Sequence, residues 1–241
     1  MPGLEDQAAA AVHVFGFVLA AILGARLLRA SRRLALTVPQ RRAVLVFIWA
    51  WLALYSASVA FHLAPAGTLR QLLMAFDQGA IFILVAAGWA PLAPFRMAPE
   101  QGGRLLVVLW FLAGLGIVLA MVAGFAERHV VLHRLGFALY LVQAAVPFVL
   151  YGRALWRRLT PASKVFIGGS MVIYGVGLIF YRMTGMPWNH VLWHLAIILG
   201  CVMNFRGFSG LLYEDVARNS SPTKTASFRS PAEPDSNEAA Q

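Results

Sequence analysis

The chain has 241 residues, of which 60% are hydrophobic and only 12% charged, and its mean hydropathy is +0.70. Soluble domains average about 45–50% apolar and about 25% charged residues, so this composition excludes a soluble enzyme, a disordered chain and a disulfide scaffold. The net charge of +10 is typical of nucleic-acid-binding proteins, but the basic residues lie between apolar runs and form no nucleic-acid motif. We therefore predict an all-α polytopic membrane protein whose partners are membrane lipids and not nucleic acid.

Seven apolar stretches are long enough to cross a bilayer as helices, which takes roughly 20 residues each. Their short connectors force each helix to run antiparallel to the next, which predicts a single seven-helix bundle. The stretches are Ala8–Leu28, Ala43–Leu63, Ala75–Pro94, Leu105–Gly124, Val130–Tyr151, Val165–Arg182 and Trp188–Phe208. We assign residues 1–213 to this domain and expect residues 214–241, which are rich in polar residues, to be a disordered tail.

The basic residues are distributed unequally between the two ends of the predicted bundle. Sixteen Arg and Lys residues fall on the end that carries the C-terminal tail, against four on the end that carries the N-terminus. The cytoplasmic connectors of membrane proteins carry an excess of Lys and Arg. We therefore expect the C-terminus to be cytoplasmic and the N-terminus to lie outside.

Ionisable residues from distant parts of the chain are predicted to reach a similar depth at the N-terminal end of the bundle. His62 ends the second span, Asp77 lies near the start of the third, and His190 and His194 open the seventh. An ionisable group within a span is costly and indicates a functional site. Because His190 and His194 are four residues apart, they share one helix face and could chelate one metal ion.

This arrangement is typical of a catalytic zinc centre, in which three protein ligands leave one position open for water. We predict His62, His190 and His194 as the metal ligands. We predict Asp77 and Ser58 as the catalytic residues. Asp77 is the only carboxylate within a predicted span and could orient or deprotonate the water. Ser58 shares a helix face with His62 and could hydrogen-bond a ligand, the water or a substrate carbonyl.

Other histidines are weaker candidates for metal ligands. His13 opens the first span at the same depth and is expected to line the same cavity. His129 and His133 are also four residues apart, but Arg128 and Arg134 flank them, and nearby positive charge disfavours a cation. A Ser–His–Asp hydrolytic triad is a further interpretation, but three histidines exceed what a triad needs.

Several of these residues lie in motifs similar to those of the hemolysin III and progestin/adipoQ receptor family. The run 58–62 (SVAFH) resembles its Ser-x-x-x-His element, and the run 77–82 (DQGAIF) resembles its third-helix element. The strongest block is 174–181 (YGVGLIFY) followed by 187–194 (PWNHVLWH), and the run 13–16 (HVFG) loosely resembles its first-helix element. The resemblance implies a seven-helix bundle with zinc at the positions of His62, His190 and His194, and with Asp77 and Ser58 beside it.

The resemblance leaves three functions open. The wider superfamily includes alkaline ceramidases, which implies a zinc-dependent hydrolase of a lipid amide or ester in the cell membrane. The second function is a receptor-like or membrane-homeostasis protein in which zinc is structural. The third is a cytolysin or channel, which the fourth and sixth spans disfavour because they contain almost no ionisable residues.

The resemblance also bears on the orientation in the membrane. Receptor-type members of the family keep the N-terminus in the cytoplasm, whereas ceramidases have the opposite orientation. The count of basic residues favours the ceramidase orientation.

Overall fold

The computed structural model describes residues 3–125 and 129–220, and within these ranges the chain forms eight α-helices and no strand. The helices are α1 (Leu4–Arg33), α2 (Val38–Leu63), α3 (Thr68–Trp89), α4 (Leu92–Arg96), α5 (Pro99–Phe125), α6 (His129–Arg158), α7 (Pro161–Arg182) and α8 (Asn189–Ser220). The described residues provide seven helical units long and apolar enough to span a membrane, with α3 and α4 together forming one unit. The prediction of an all-α, multi-pass membrane protein is confirmed.

The helices extend beyond the apolar stretches from which they were predicted. α1 begins at Leu4 with two acidic residues in its first turn and ends with Arg32 and Arg33 in its last turn. Acidic residues near a helix N-terminus and basic residues near its C-terminus interact favourably with the helix dipole. α2 begins with a capping box, in which Thr37 and Gln40 satisfy each other's backbone N–H groups. The polar and charged residues that flank the predicted apolar stretches therefore form the first and last turns of these helices.

The third predicted span, Ala75–Pro94, is not one continuous helix. α3 ends at Trp89, and the short helix α4 follows after Pro91. Proline has no N–H to donate to the carbonyl four residues earlier, and its ring clashes with that carbonyl. The carbonyl of Ala87 instead accepts a hydrogen bond from the N–H of Ala90 at 3.2 Å. The prolines therefore break this span near its end.

The long helices pack side by side in chain order. α1 contacts both α2 and α8, α2 contacts α3, α3 contacts α5, α5 contacts α6, and α7 contacts α8. Over the residues that the structure describes, α6 and α7 are in little contact with each other. The guanidinium of Arg182 on α7 lies 5.4 Å from the ring centre of Phe137 on α6 and bridges this gap. The bundle is thus a ring that is loosely closed between α6 and α7.

The outer surface of the ring is apolar. Large hydrophobic side chains such as Val107, Phe111, Val149 and Val172 are exposed on it. Extended apolar surface of this kind marks a region that is covered by a partner or by lipid. Together with the seven spans, it indicates that the bilayer surrounds the bundle.

A buried ion pair joins helices at the end of the bundle opposite the N-terminus. Arg96 of α4 is buried, and its Nη2 donates to Oε2 of Glu214 on α8 at 2.5 Å. Glu214 also accepts hydrogen bonds from the hydroxyls of Thr160 and Ser163. This network ties α4 and α7 to α8.

The last helix extends beyond the position at which the polar tail was predicted to start. α8 continues through Ser220 and so passes position 214, where the polar tail was expected to begin. Glu214 and Asp215 hold this part of the helix, since Asp215 accepts a hydrogen bond from Nε2 of Gln40 at 2.8 Å. The remainder of the predicted tail, 221–241, lies outside the described residues.

Candidate metal centre

Four histidines meet at the end of the bundle that carries the N-terminus. His13 lies in the third turn of α1, His62 in the last turn of α2, and His190 and His194 in the first two turns of α8. The ring centre of His62 lies 5.9 Å from that of His13, 5.2 Å from that of His190 and 5.3 Å from that of His194. The ring centre of His194 lies 4.0 Å from His13 and 4.3 Å from His190. Three helices therefore contribute to one histidine cluster.

Three of these four rings offer nitrogens that are close enough to share one metal ion. One nitrogen each of His13, His62 and His194 lies within 4.8 Å of the other two, and all three residues are buried. His190 contacts the cluster but lies outside this set and is only partly buried. The structure thus adds His13 to the candidate ligands, while the assignment of His62, His190 and His194 as the zinc ligands stays a prediction.

The chemistry of these nitrogens fits a metal ion. Both ring nitrogens of His13, Nε2 of His62 and Nε2 of His194 are buried without a hydrogen-bond partner among the described residues. Buried side-chain nitrogens normally have a partner, and leaving one unpaired costs free energy. A cluster of neutral imidazoles is a donor set that zinc prefers. The residues present therefore fit the ion that the family resemblance implies.

Asp6 is a member of the site that the sequence analysis missed. Its Oδ1 lies 3.0 Å from Nδ1 of His62, and Nη2 of Arg70 donates to both of its carboxylate oxygens at 2.8 and 2.9 Å. A carboxylate paired with arginine can only accept, so Nδ1 of His62 donates to it and carries the ring proton. Nε2 of His62, which has no hydrogen-bond partner among the described residues, is then left with a free lone pair. Metal-binding histidines are commonly oriented in this way by a carboxylate.

Arg70 also fixes the helix end that carries His62. Its Nη1 donates to the carbonyl oxygens of Phe61 at 3.3 Å and Ala64 at 2.9 Å. Carbonyls at a helix C-terminus lack partners within the helix, so a neighbouring donor stabilises them. The chain then turns at Gly67, whose φ of 134° favours glycine. One arginine therefore joins the end of α2, the start of α3 and the start of α1.

The two predicted catalytic residues are hydrogen-bonded to each other. The hydroxyl of Ser58 on α2 donates to Oδ1 of Asp77 on α3. Ser58 lies one helical turn before His62, and Asp77 lies in the third turn of α3. The pair therefore sits on the wall formed by α2 and α3, next to the helix end that bears His62.

The histidine cluster and the Ser58–Asp77 pair line the same cavity, which has a volume of about 950 Å³. Most of the remaining wall is apolar, with contributions from side chains such as Leu84, Phe148 and Leu178. The cavity extends to α6 and α7, which are in little contact with each other over the described residues. Leu178 of α7 lines both this cavity and a second, more open cleft between the same two helices. A cavity with polar groups at one end and apolar walls elsewhere suits an amphipathic molecule.

Of the disfavoured histidine pair on α6, only His133 has a side chain that the structure describes. His133 lines the cavity on α6 but is not among the three grouped histidines. Arg128 and the side chain of His129 lie outside the described residues.

The fold and the site define a class: a multi-pass helical membrane protein with a buried histidine cluster at one end of its bundle. The sequence profile described as "Haemolysin-III related" matches residues 5–205, so the chain belongs to the haemolysin III-related family. The family resemblance inferred from the motifs is confirmed.

Two curated relatives agree with this family. A protein named "Hemolysin-3 homolog" from Bacillus subtilis (strain 168) is 30% identical over 162 residues, which cover 66% of this chain and 72% of the relative. A protein named "Hemolysin-3" from Bacillus cereus is 27% identical over 154 residues, which cover 63% and 67% of the two chains.

Proposed function

We propose that this membrane protein binds one zinc ion at its histidine cluster and hydrolyses an amide or ester bond of a membrane lipid. One observation carries the proposal: imidazole nitrogens without a hydrogen-bond partner in the described part of the chain and the Ser58–Asp77 pair line one cavity, and most of its other walls are apolar. A hydrolase for lipids needs these three features together, because the polar reaction must occur beside a long apolar chain.

The family resemblance assigns the ion to His62, His190 and His194. When bound, zinc supplies Lewis acidity, which polarises a substrate carbonyl and makes a coordinated water more acidic. The orientation of His62 by Asp6 supports this assignment, since it leaves Nε2 free for a ligand.

Asp77 is the general base of the proposed reaction. It takes a proton from the attacking water, whose oxygen bonds to the carbonyl carbon of the substrate. The C–N or C–O bond of the substrate then breaks, and Asp77 returns the proton to the leaving nitrogen or oxygen. The products are a carboxylic acid and an amine or alcohol. Ser58 orients the carboxylate through the hydrogen bond that its hydroxyl donates.

A lipid substrate is supported by the route into the cavity. α6 is the least buried of the seven spans, and α6 and α7 share little contact over the described residues. A molecule dissolved in the bilayer could therefore reach the cavity between these helices without crossing water.

The proposal is tested by lipid profiling of the purified protein, loaded with zinc and mixed with ceramides and phospholipids in liposomes. We expect the wild type to release fatty acid and Asp77→Asn to release none while retaining zinc. Asp215→Asn is the matched control, because it removes a carboxylate at the opposite end of the bundle. Equal release by the wild type and Asp77→Asn would contradict the proposed role of Asp77.

A second candidate function is a non-enzymatic protein in which zinc is structural. His13 favours it, because structural zinc sites have four protein ligands and the cluster contains a fourth histidine. Zinc in the wild type together with no product from any of the lipids would favour this function over hydrolysis.

A further inference from the structure

We infer that the cavity holds a second polar site deep in the bundle, which binds a hydroxyl group in the middle of a lipid acyl chain. This deep polar site consists of Trp51 of α2, Tyr174 of α7 and Asn204 of α8, and all three residues line the cavity. The inference rests on the lipid hydrolysis proposed above and names its substrate class, a lipid whose acyl chain carries a mid-chain hydroxyl group.

Two of these side chains lie at the same depth, far from the histidine cluster. On α2 and α8 the cluster is marked by His62 and His194, whose ring centres are 5.3 Å apart. Trp51 precedes His62 by eleven residues, and Asn204 follows His194 by ten residues. At a rise of about 1.5 Å per residue these separations are about 16 Å and about 15 Å. Because α2 ends at the cluster and α8 begins there, both residues lie about half-way across a hydrocarbon core that is about 30 Å thick.

A chain of hydrogen bonds between α7 and α8 ends at the cavity. The buried hydroxyl of Ser170 donates to Oδ1 of Asn204 at 2.7 Å. Nδ2 of Asn204 donates in turn to the hydroxyl of Tyr174 at 2.8 Å. A phenol oxygen that accepts one hydrogen bond still has its own proton to donate. Because Tyr174 lines the cavity and is only partly buried, this hydroxyl is available to a ligand.

Trp51 adds a donor without a partner. Its side chain is 1% exposed, and its Nε1 is buried with no hydrogen-bond partner among the described residues. An indole N–H can only donate, and leaving it unpaired in an apolar interior costs free energy. Phe47, one turn earlier on α2, contacts the rings of both Trp51 and Phe205. The indole therefore lies beside the part of α8 that carries Asn204.

Helix packing accounts for only part of this arrangement. Polar side chains commonly join helices within a membrane, and the contact between Ser170 and Asn204 joins α7 to α8 in this way. The ring of Tyr174 also packs on α8 at Gly200, where a Cβ would clash with it. Packing does not explain the unpaired N–H of Trp51 at the same depth. A hydroxyl group both accepts and donates, so one such group in the cavity would pair with the indole and with the phenol.

The spacing between the two polar ends of the cavity indicates where the hydroxyl lies on the chain. Trp51 lies two turns before Ser58 on one face of α2, about 10 Å away, and Asn204 is about 15 Å from His194. An extended chain advances about 1.2 Å per single bond, so these lengths correspond to about 8 to 12 bonds. A chain whose carbonyl is at the proposed reaction centre therefore brings a hydroxyl on carbon 12, and not one on carbon 2, to the deep polar site.

Displacement of radiolabelled stearic acid from the purified full-length protein tests the inference. The competitors are unlabelled stearic acid, 2-hydroxystearic acid and 12-hydroxystearic acid, and the second of these controls for polarity without the mid-chain position. We expect 12-hydroxystearic acid to displace the label at a concentration about five- to tenfold lower than either of the others, the value of one buried hydrogen bond. This comparison in the wild type is decisive by itself if a variant does not fold.

Two variants assign the preference to the deep polar site. Trp51→Phe removes the N–H and keeps an aromatic ring, and Tyr174→Phe removes only the hydroxyl. Trp49→Phe is the matched control, because Trp49 belongs to the same helix and is 66% exposed. We expect the preference for 12-hydroxystearic acid to fall in Trp51→Phe and in Tyr174→Phe and to persist in Trp49→Phe. A preference that both of the first two variants retain would contradict the inference.

The outcomes separate this inference from the proposed function. Equal displacement by stearic acid and 12-hydroxystearic acid would overturn the deep polar site, as expected if only water occupies it, and would leave the proposed hydrolysis standing. Equal displacement by the two hydroxy acids would overturn it as well, because the position of the hydroxyl would not matter. A protein that binds none of the three acids would contradict both proposals. A preference for 12-hydroxystearic acid without release of fatty acid from any lipid would support the site and contradict the hydrolysis.

Discussion

The carboxylate of Asp6 lies 3.0 Å from Nδ1 of His62, although the two residues are 56 positions apart in the chain. The contact fixes which nitrogen of His62 carries the proton, and it leaves Nε2 with a free lone pair and no hydrogen-bond partner among the described residues. It also joins the first turn of α1 to the last turn of α2. Both the position and the protonation of a predicted metal ligand therefore depend on a residue outside the apolar stretches.

We predict that Asp6→Asn weakens zinc binding by about 10–100-fold, the usual cost of losing a carboxylate that orients a metal-bound histidine. The amide remains a hydrogen-bond acceptor but loses the charge that pairs with Arg70. Competition with a chromophoric chelator measures the affinity. Asp215→Asn is the matched control and should bind zinc like the wild type. An unchanged affinity in Asp6→Asn, or an equal loss in both variants, would show that the contact does not orient a ligand.

Much of this fold could be predicted from the sequence because bilayer thickness dictates the length of an apolar helix. Seven long apolar stretches and short connectors fix the number of spans and their alternating directions. These directions alone bring the end of α2 and the starts of α3 and α8 to one side. The proximity of Ser58 and Asp77, which are hydrogen-bonded in the structure, follows from the same argument.

The rest of the site could not be predicted because it depends on helix rotation and on residues beyond the apolar stretches. α1 is apolar on most of its faces, so periodicity does not show which face points inward, and His13 was not expected to be a ligand. Asp6 precedes the first predicted span, and the search for site residues was confined to the spans. The seven-residue spacing between Asp6 and His13, which places both on one helix face, is the signal that could have identified them.

We predict that breaking the Arg96–Glu214 ion pair, at the end of the bundle opposite the histidine cluster, lowers the free energy of unfolding. Glu214→Ala removes the carboxylate that accepts from Nη2 of Arg96, whose side chain is 1% exposed, and leaves Asp215, 3.9 Å from Nη1, as the nearby carboxylate. We expect a loss of about 3 kcal/mol, the low end for breaking a buried pair, because Glu214 itself is 20% exposed. Thermal unfolding in detergent measures the change.

The matched control for this variant is Glu100→Ala. Glu100 pairs with Arg104 across one turn of α5, 3.7 Å apart and in an exposed position. Exposed ion pairs of this kind contribute little to the free energy of unfolding, so we expect Glu100→Ala to leave the unfolding midpoint almost unchanged. A midpoint that falls equally in both variants would contradict the structural role of the Arg96–Glu214 pair.

The orientation in the membrane is a separate prediction. The excess of basic residues at the end of the bundle opposite the histidine cluster predicts an outside N-terminus and a cytoplasmic C-terminus. Alkaline phosphatase and green fluorescent protein, each fused after Gln241 in a bacterial host, report the location of that end. We expect fluorescence and no phosphatase activity. Phosphatase activity from the C-terminal fusion would reverse the orientation and put the histidine cluster near the cytoplasm.

The account depends most on the claim that the histidine cluster holds zinc, and elemental analysis of the purified, dialysed protein tests it most directly. We predict one zinc ion per chain in the wild type and in His133→Ala. We predict none in the double variant His62→Ala/His194→Ala, which removes the two histidines whose rings contact every other ring of the cluster. A wild-type protein without zinc, or a double variant that keeps its full complement, would contradict the account.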